Sequence, residues 1–114
     1  MERNYFIYKM LINGLKFVTL YVKMITPEHY IEQNKEVFAG ELDDETVMMH
    51  IQTGKYYGLD DIGSRIWKMA EEKIQVKEII AQLTDEFDVD KQQCEKDVIE
   101  LLNDMKSNDL IQIE

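Results

Sequence analysis

Val37-Phe-Ala-Gly-Glu-Leu-Asp-Asp-Glu-Thr-Val-Met-Met-His-Ile-Gln-Thr-Gly-Lys-Tyr-Tyr-Gly-Leu-Asp-Asp-Ile-Gly-Ser-Arg-Ile-Trp67 decides how this chain is read. It divides into three short runs of strand formers, two tight turns and the first turns of a helix. Val37 to Leu42 and Thr46 to Ile51 are separated by Asp43-Asp44-Glu45, a polar turn. Thr53-Gly54 marks the second turn, where glycine supplies the positive φ a tight hairpin needs. Lys55 to Leu59 then reads as a third strand. In the second strand Val47, Met49 and Ile51 share one face, and Met48 and His50 the other. In the third, Tyr57 and Leu59 oppose Tyr56 and Gly58. No side chain in the stretch has a catalytic setting. A small sheet that feeds a helical bundle and leaves one strand edge over is a shape for holding a peptide.

The helical part follows directly. Asp60-Asp61 places a capping carboxylate at a helix start, and Ile62, Ile66, Met69 and Ala70 form its apolar stripe, broadened by Trp67. Val76, Ile79, Ile80, Leu83 and Phe87 recur at helical spacing in a second helix. Asp90 with Gln93 three residues on resembles a capping box, and Cys94, Val98, Leu101, Leu102 and Met105 make one face of a third helix. Ser107-Asn108-Asp109 ends it, and Leu110 to Ile113 is a short apolar tail. The expected class is α+β, a three-stranded antiparallel sheet followed by a three-helix bundle, with the outline of a winged helix-turn-helix.

A chain of 114 residues supports one modest core. The first 23 residues carry Arg3, Lys9, Lys16 and Lys23 against Glu2, whereas residues 24–114 hold 9 basic and 22 acidic side chains. Tyr5 to Val22 is apolar and aromatic, but Lys9 and Lys16 interrupt it at a cost that argues against a spanning helix, and no signal-peptide cleavage pattern is visible. Residues 1–23 therefore read as an N-terminal extension and 24–114 as the recognition domain. The extension is a strand or helix packed on the domain, a membrane-surface anchor, or the product of an upstream start codon, Met24 being a natural first residue.

Candidates for chemistry are few. Cys94 is the single cysteine, which rules out an internal disulfide and a Cys-rich zinc site and fits a reducing, cytoplasmic setting. Its place in an apolar helix stripe favours a packed thiol over a nucleophile. His29 and His50 lack partners at metal spacing, and His50 is expected at the surface or half-buried. Asp43-Asp44-Glu45 lacks the ligand alternation of a calcium loop and reads as a solvated turn. Trp67 is expected in the core, and of Tyr56 and Tyr57 only one can be. No metal, cofactor or enzymatic activity is expected. A winged-helix regulator would read DNA with its third helix. From Asp90 to Asp109 that helix sets Lys91, Lys96 and Lys106 against Asp90, Glu95, Asp97, Glu100, Asp104 and Asp109, so phosphates repel it.

The run Glu41-Leu-Asp-Asp-Glu-Thr-Val-Met-Met-His-Ile-Gln-Thr-Gly-Lys-Tyr-Tyr-Gly-Leu-Asp-Asp-Ile-Gly-Ser-Arg-Ile-Trp67 resembles the PqqD family, named for coenzyme PQQ synthesis protein D. The likeness continues through Ile79-Ile80-Ala-Gln-Leu-Thr-Asp-Glu-Phe-Asp-Val89 and Asp97-Val-Ile-Glu-Leu-Leu102 and covers roughly residues 30–113. It implies a recognition element for ribosomally made, post-translationally modified peptides, as in lasso-peptide or PQQ synthesis. A leader peptide would add as a strand to Lys55, Tyr56, Tyr57, Gly58 and Leu59. Its side chains would settle against Cys94, Asp97, Val98, Leu101, Leu102 and Met105 of the third helix. The implied partners are the precursor peptide and a modifying or leader-cleaving enzyme (radical-SAM enzyme, cyclase or leader peptidase), with no nucleic acid and a monomer or weak homodimer. Strand addition fits independently, since backbone hydrogen bonds supply affinity and adjacent pockets supply specificity. On this reading Tyr57→Pro removes a strand N–H and should disturb binding. Two alternatives stay open: a winged-helix DNA regulator, and a subunit that only stabilises a partner enzyme.

Overall fold

Two aspartates turn the first hairpin. Leu42 pairs with Glu45 across Asp43-Asp44, so Glu45 belongs to the strand rather than the turn, and Asp43 takes φ +60°. Asp is among the few non-glycine residues that visit this conformation readily. In the next turn Gly54 sits at φ +70°, with its N–H donating to the His50 carbonyl at 2.8 Å. The computed structural model describes residues 5–12, 14 and 16–114, and for 5–12 and 16–23 only the backbone.

In chain order the elements are β1 (Tyr5–Ile12), β2 (Lys16–Lys23), β3 (Tyr30–Gln33), β4 (Val37–Leu42), β5 (Glu45–His50), β6 (Tyr56–Leu59), α1 (Asp61–Met69), β7 (Ile74–Gln75), α2 (Val76–Glu86), α3 (Lys91–Ser107) and β8 (Ile111–Ile113). The expected α+β architecture is present, with β4-β5-β6 as its antiparallel sheet and three helices after it. Two pairings extend it. β1 and β2 form a hairpin of their own, and β7-β3-β8 form a second three-stranded sheet. The membrane-anchor and packed-addition readings of residues 1–23 depend on side chains outside the described residues. Among the described residues no helix is long and apolar enough to cross a membrane.

The second sheet corrects the reading of Leu110 to Ile113 as a tail. Ile31 faces Ile74 on one side and Ile113 on the other, which ties the end of the chain to the start of the domain. Ile31 is 1% exposed. Around it the core gathers Met48 from β5, Ile66 and Trp67 from α1, Val76, Ile79, Ile80 and Leu83 from α2, and Cys94, Val98, Leu102 and Met105 from α3. Each large apolar side chain taken fully out of water contributes about 1.5–3 kcal/mol.

His50 departs from expectation: it is 1% exposed, not at the surface. On β5 the residues facing the helices are Thr46, Met48 and His50, and the more apolar set Val47, Met49 and Ile51 turns outward. Two hydrogen bonds make the buried imidazole tolerable. Its Nδ1 accepts from the Gln52 N–H at 3.2 Å, which leaves Nε2–H to donate to Asp109 Oδ2 at 3.0 Å. Asp109 is also the left-handed residue, φ +57°, that ends α3. The Leu110 N–H returns to the Met105 carbonyl at 2.9 Å and the Asp109 N–H to Lys106 at 3.0 Å, a Schellman stop. Asn34 Nδ2 donates to the Asp109 carbonyl at 2.8 Å, so one polar knot joins the loop after β3, the end of β5 and the end of α3.

Candidate functional site

β6 is an edge strand: it pairs with β5 on one side and, among the described residues, has no strand neighbour on the other. In an antiparallel ladder, successive residues alternate between pointing their N–H and C=O at the partner and away from it. The His50 N–H donates to the Lys55 carbonyl at 3.0 Å, and Met48 and Thr46 lie opposite Tyr57 and Leu59. Lys55, Tyr57 and Leu59 therefore spend their backbone groups on β5. Tyr56 and Gly58 direct theirs to the open edge. This corrects the expectation attached to Tyr57→Pro, because the N–H it removes faces β5 and not an incoming chain. The side chains divide in the same rhythm. Tyr57 and Leu59 pack partly against the core, whereas Tyr56 is 72% exposed.

Two places connect this strand with α3. At one end the Tyr57 hydroxyl meets Asn108 Oδ1 at 3.4 Å, and beyond the other end Asp60 and Ile62 share a groove with Asp97, Val98 and Leu101. The groove has a volume of about 570 Å³, within the range of about 300–1,000 Å³ usual for binding clefts. Its floor comes from Ile62 and Ile66 of α1, Leu83 of α2, and Cys94, Val98 and Leu101 of α3, with Phe87 and Val89 from the α2–α3 connection as one wall. Gly63 lets α1 start this close to β6, because a Cβ there would meet Leu59 Cβ and Asp60 Oδ1 at 3.2 Å. Asp60 caps α1 through the Gly63 N–H at 2.8 Å, and Asp90 caps α3 through the Gln93 N–H at 3.1 Å. The Gln93 side chain does not return the bond as a capping box would. It donates onward to Asp97 Oδ1 at 2.9 Å. Behind the wall, Arg65 grips Glu86 at 2.6 and 3.2 Å, and that hydrogen bond raises the guanidinium above its ordinary pKa.

The sequence-predicted residues separate on this geometry. Cys94, Asp97, Val98 and Leu101 line the groove. Leu102 and Met105 lie in the core and do not line the groove. Lining residues missed from sequence are Ile62, Gly63, Ile66, Leu83, Phe87 and Val89, and the polar Asp60, Asp90 and Gln93. Helical spacing puts Phe87 on the apolar face of α2, but the helix stops at Glu86 and Phe87 swings out, 39% exposed. The available signal was Phe87-Asp88-Val89, two large apolar residues in an otherwise polar connection. Trp67 is core, as expected, and its carbonyl accepts from Gln33 Nε2 at 2.6 Å. Among the described residues no group of three or more His, Cys, Asp or Glu side chains is arranged to hold a metal ion.

Fold and edge together define a winged helix-turn-helix-like domain in which β6 is an outer strand of its sheet. The chain belongs to the PqqD family: the family described as coenzyme PQQ synthesis protein D (PqqD) matches residues 45–111. Among solved structures, TbiB1 in complex with the TbiA(beta) leader peptide is 36% identical and superimposes with a TM-score of 0.68, over 71% of this chain and 94% of that one. A lasso peptide synthetase B1 complexed with its leader peptide shares the fold at 21% identity and a TM-score of 0.65, over 72% of this chain and 96% of the other. No curated protein matches.

Proposed function

We propose that this protein is a non-catalytic adaptor that binds the leader of a ribosomally made precursor peptide and presents it to a processing enzyme. The leader adds as a strand along β6, and side chains from its buried-facing side enter the groove between α1 and α3. The carrying observation is the open edge of Tyr56 and Gly58, on a strand followed directly by Asp60 at the rim of an apolar groove, in a chain 36% identical to a protein solved with a leader peptide. Both histidines support the non-catalytic reading. His50 is held in a structural knot, and His29 Nδ1 accepts the Thr26 N–H at 2.9 Å. The processing enzyme is a leader peptidase or cyclase, or a radical-SAM enzyme. A cytoplasmic setting accords with the unpaired Cys94. The excess of carboxylates on α3 opposes the DNA-regulator alternative.

Isothermal titration with the leader of a precursor peptide encoded beside the gene tests the proposal. Saturable one-to-one binding is expected. A folded protein with no affinity for that leader would turn the reading towards a subunit that stabilises its enzyme partner without touching the peptide.

A further inference from the structure

The groove is apolar at its floor and acidic at its rim. Asp60, Asp90 and Asp97 line it together with Gln93, and no lysine, arginine or histidine does. Among the described residues none of the three carboxylates is in an ion pair. Two of them are partly compensated, since Asp60 and Asp90 stand at the N-termini of α1 and α3, where the helix dipole presents positive charge. Asp97 lies two turns into α3, beyond the reach of that compensation. Its Oδ1 accepts from Gln93 Nε2, and the exposed side chain lines the groove. A cleft with apolar walls concentrates the field of such charges on whatever enters.

We infer that the groove selects a leader segment in which a large apolar side chain is accompanied by lysine or arginine two positions away. The spacing follows from the extended chain. Residues i and i+2 of a strand point to the same side, so an apolar residue reaching Ile66 and Leu101 places its second neighbour over the carboxylate rim. An acidic residue at that position meets three carboxylates and is rejected. Asp97 is thus a specificity-determining residue, and the floor supplies affinity without sign. This inference rests on the leader-binding proposal above.

The test is a selection of random twelve-residue peptides, displayed on messenger RNA, against the immobilised full chain at low and at physiological salt. Enrichment of large apolar residues with lysine or arginine at the second neighbour is expected, weaker at the higher salt. Enriched apolar residues with no preference in charge would overturn the inference and leave leader binding intact. No enrichment of any peptide would overturn both. One enriched peptide then enters a double-mutant cycle with Asp97→Asn, which keeps the acceptor for Gln93 and so preserves the fold. The variant should lose about three- to fivefold affinity for the lysine-bearing peptide, the size an exposed ion pair supports, and stay within about twofold for its alanine counterpart. Equal losses for both peptides would show that Asp97 shapes the groove without reading charge.

Discussion

Among the described residues the molecule holds two three-stranded antiparallel sheets, and they are built for opposite ends. β4-β5-β6 is local: two tight turns join its strands, and each strand lies beside its neighbour in sequence. β7-β3-β8 is assembled from segments at the start, middle and end of the domain, with Ile31 at its centre. The second sheet closes the fold, because it pairs β3 with strands far along the chain around the buried Ile31. The first carries the β6 edge, whose strand runs directly into Asp60 at the groove rim. A hairpin sheet can leave an edge unpaired because its turns and its packing on α1 hold it. The lesson is a division of labour: non-local pairing secures the domain, and local pairing presents the site.

Substitutions can break that division at either end. Ile31→Ala removes a side chain buried between β7 and β8 and should lower stability by about 2–5 kcal/mol in a urea titration. Leader affinity of the fraction that remains folded should not change. If affinity fell in proportion, the two sheets would not be separate in function.

Neighbouring prolines sharpen the comparison within β6. Tyr56→Pro deletes an N–H that faces the open edge and should weaken leader binding about tenfold, the worth of one good hydrogen bond, with little change in Tm. Tyr57→Pro deletes an N–H committed to β5 and should instead cost about 1–3 kcal/mol of stability. The same loss of Tm in both variants would contradict the assigned parity.

A smaller effect is expected at the polar knot. Asn34→Ala breaks the bond to the Asp109 carbonyl and the one that Asn34 Oδ1 accepts from the Glu36 N–H at 3.0 Å. About 1–2 kcal/mol of stability should be lost in thermal unfolding, with leader affinity intact, since neither bond touches β6 or the groove.

What could be read from the sequence follows the same line. The β4-β5-β6 hairpins were legible because their turn residues and alternation are contiguous, and α1 and α3 because Asp60 and Asp90 cap apolar stripes. β3 was not: Tyr30-Ile-Glu-Gln33 carries no period of its own, and its partners lie far along the chain. The inward face of β5 was hidden for another reason. Val47, Met49 and Ile51 look like the core set, yet Thr46, Met48 and His50 face the helices, with Thr46 Oγ1 donating to Ser64 Oγ at 2.7 Å. Burial of His50 depends on Asp109, a partner that no local pattern shows. In the site, the third-helix residues were found as one apolar face. Only the three-dimensional packing separates Val98 and Leu101, which reach the groove, from Leu102 and Met105, which do not.

The most direct measurement is residue-resolved amide exchange across β6, by NMR, with and without leader peptide. In the free protein the Tyr57 and Leu59 amides should exchange slowly, held by β5, and those of Tyr56 and Gly58 quickly. On saturation with leader, Tyr56 and Gly58 should become protected and the other two should change little. Protection that appears on α3 alone, with Tyr56 and Gly58 still exchanging freely, would contradict strand addition at this edge.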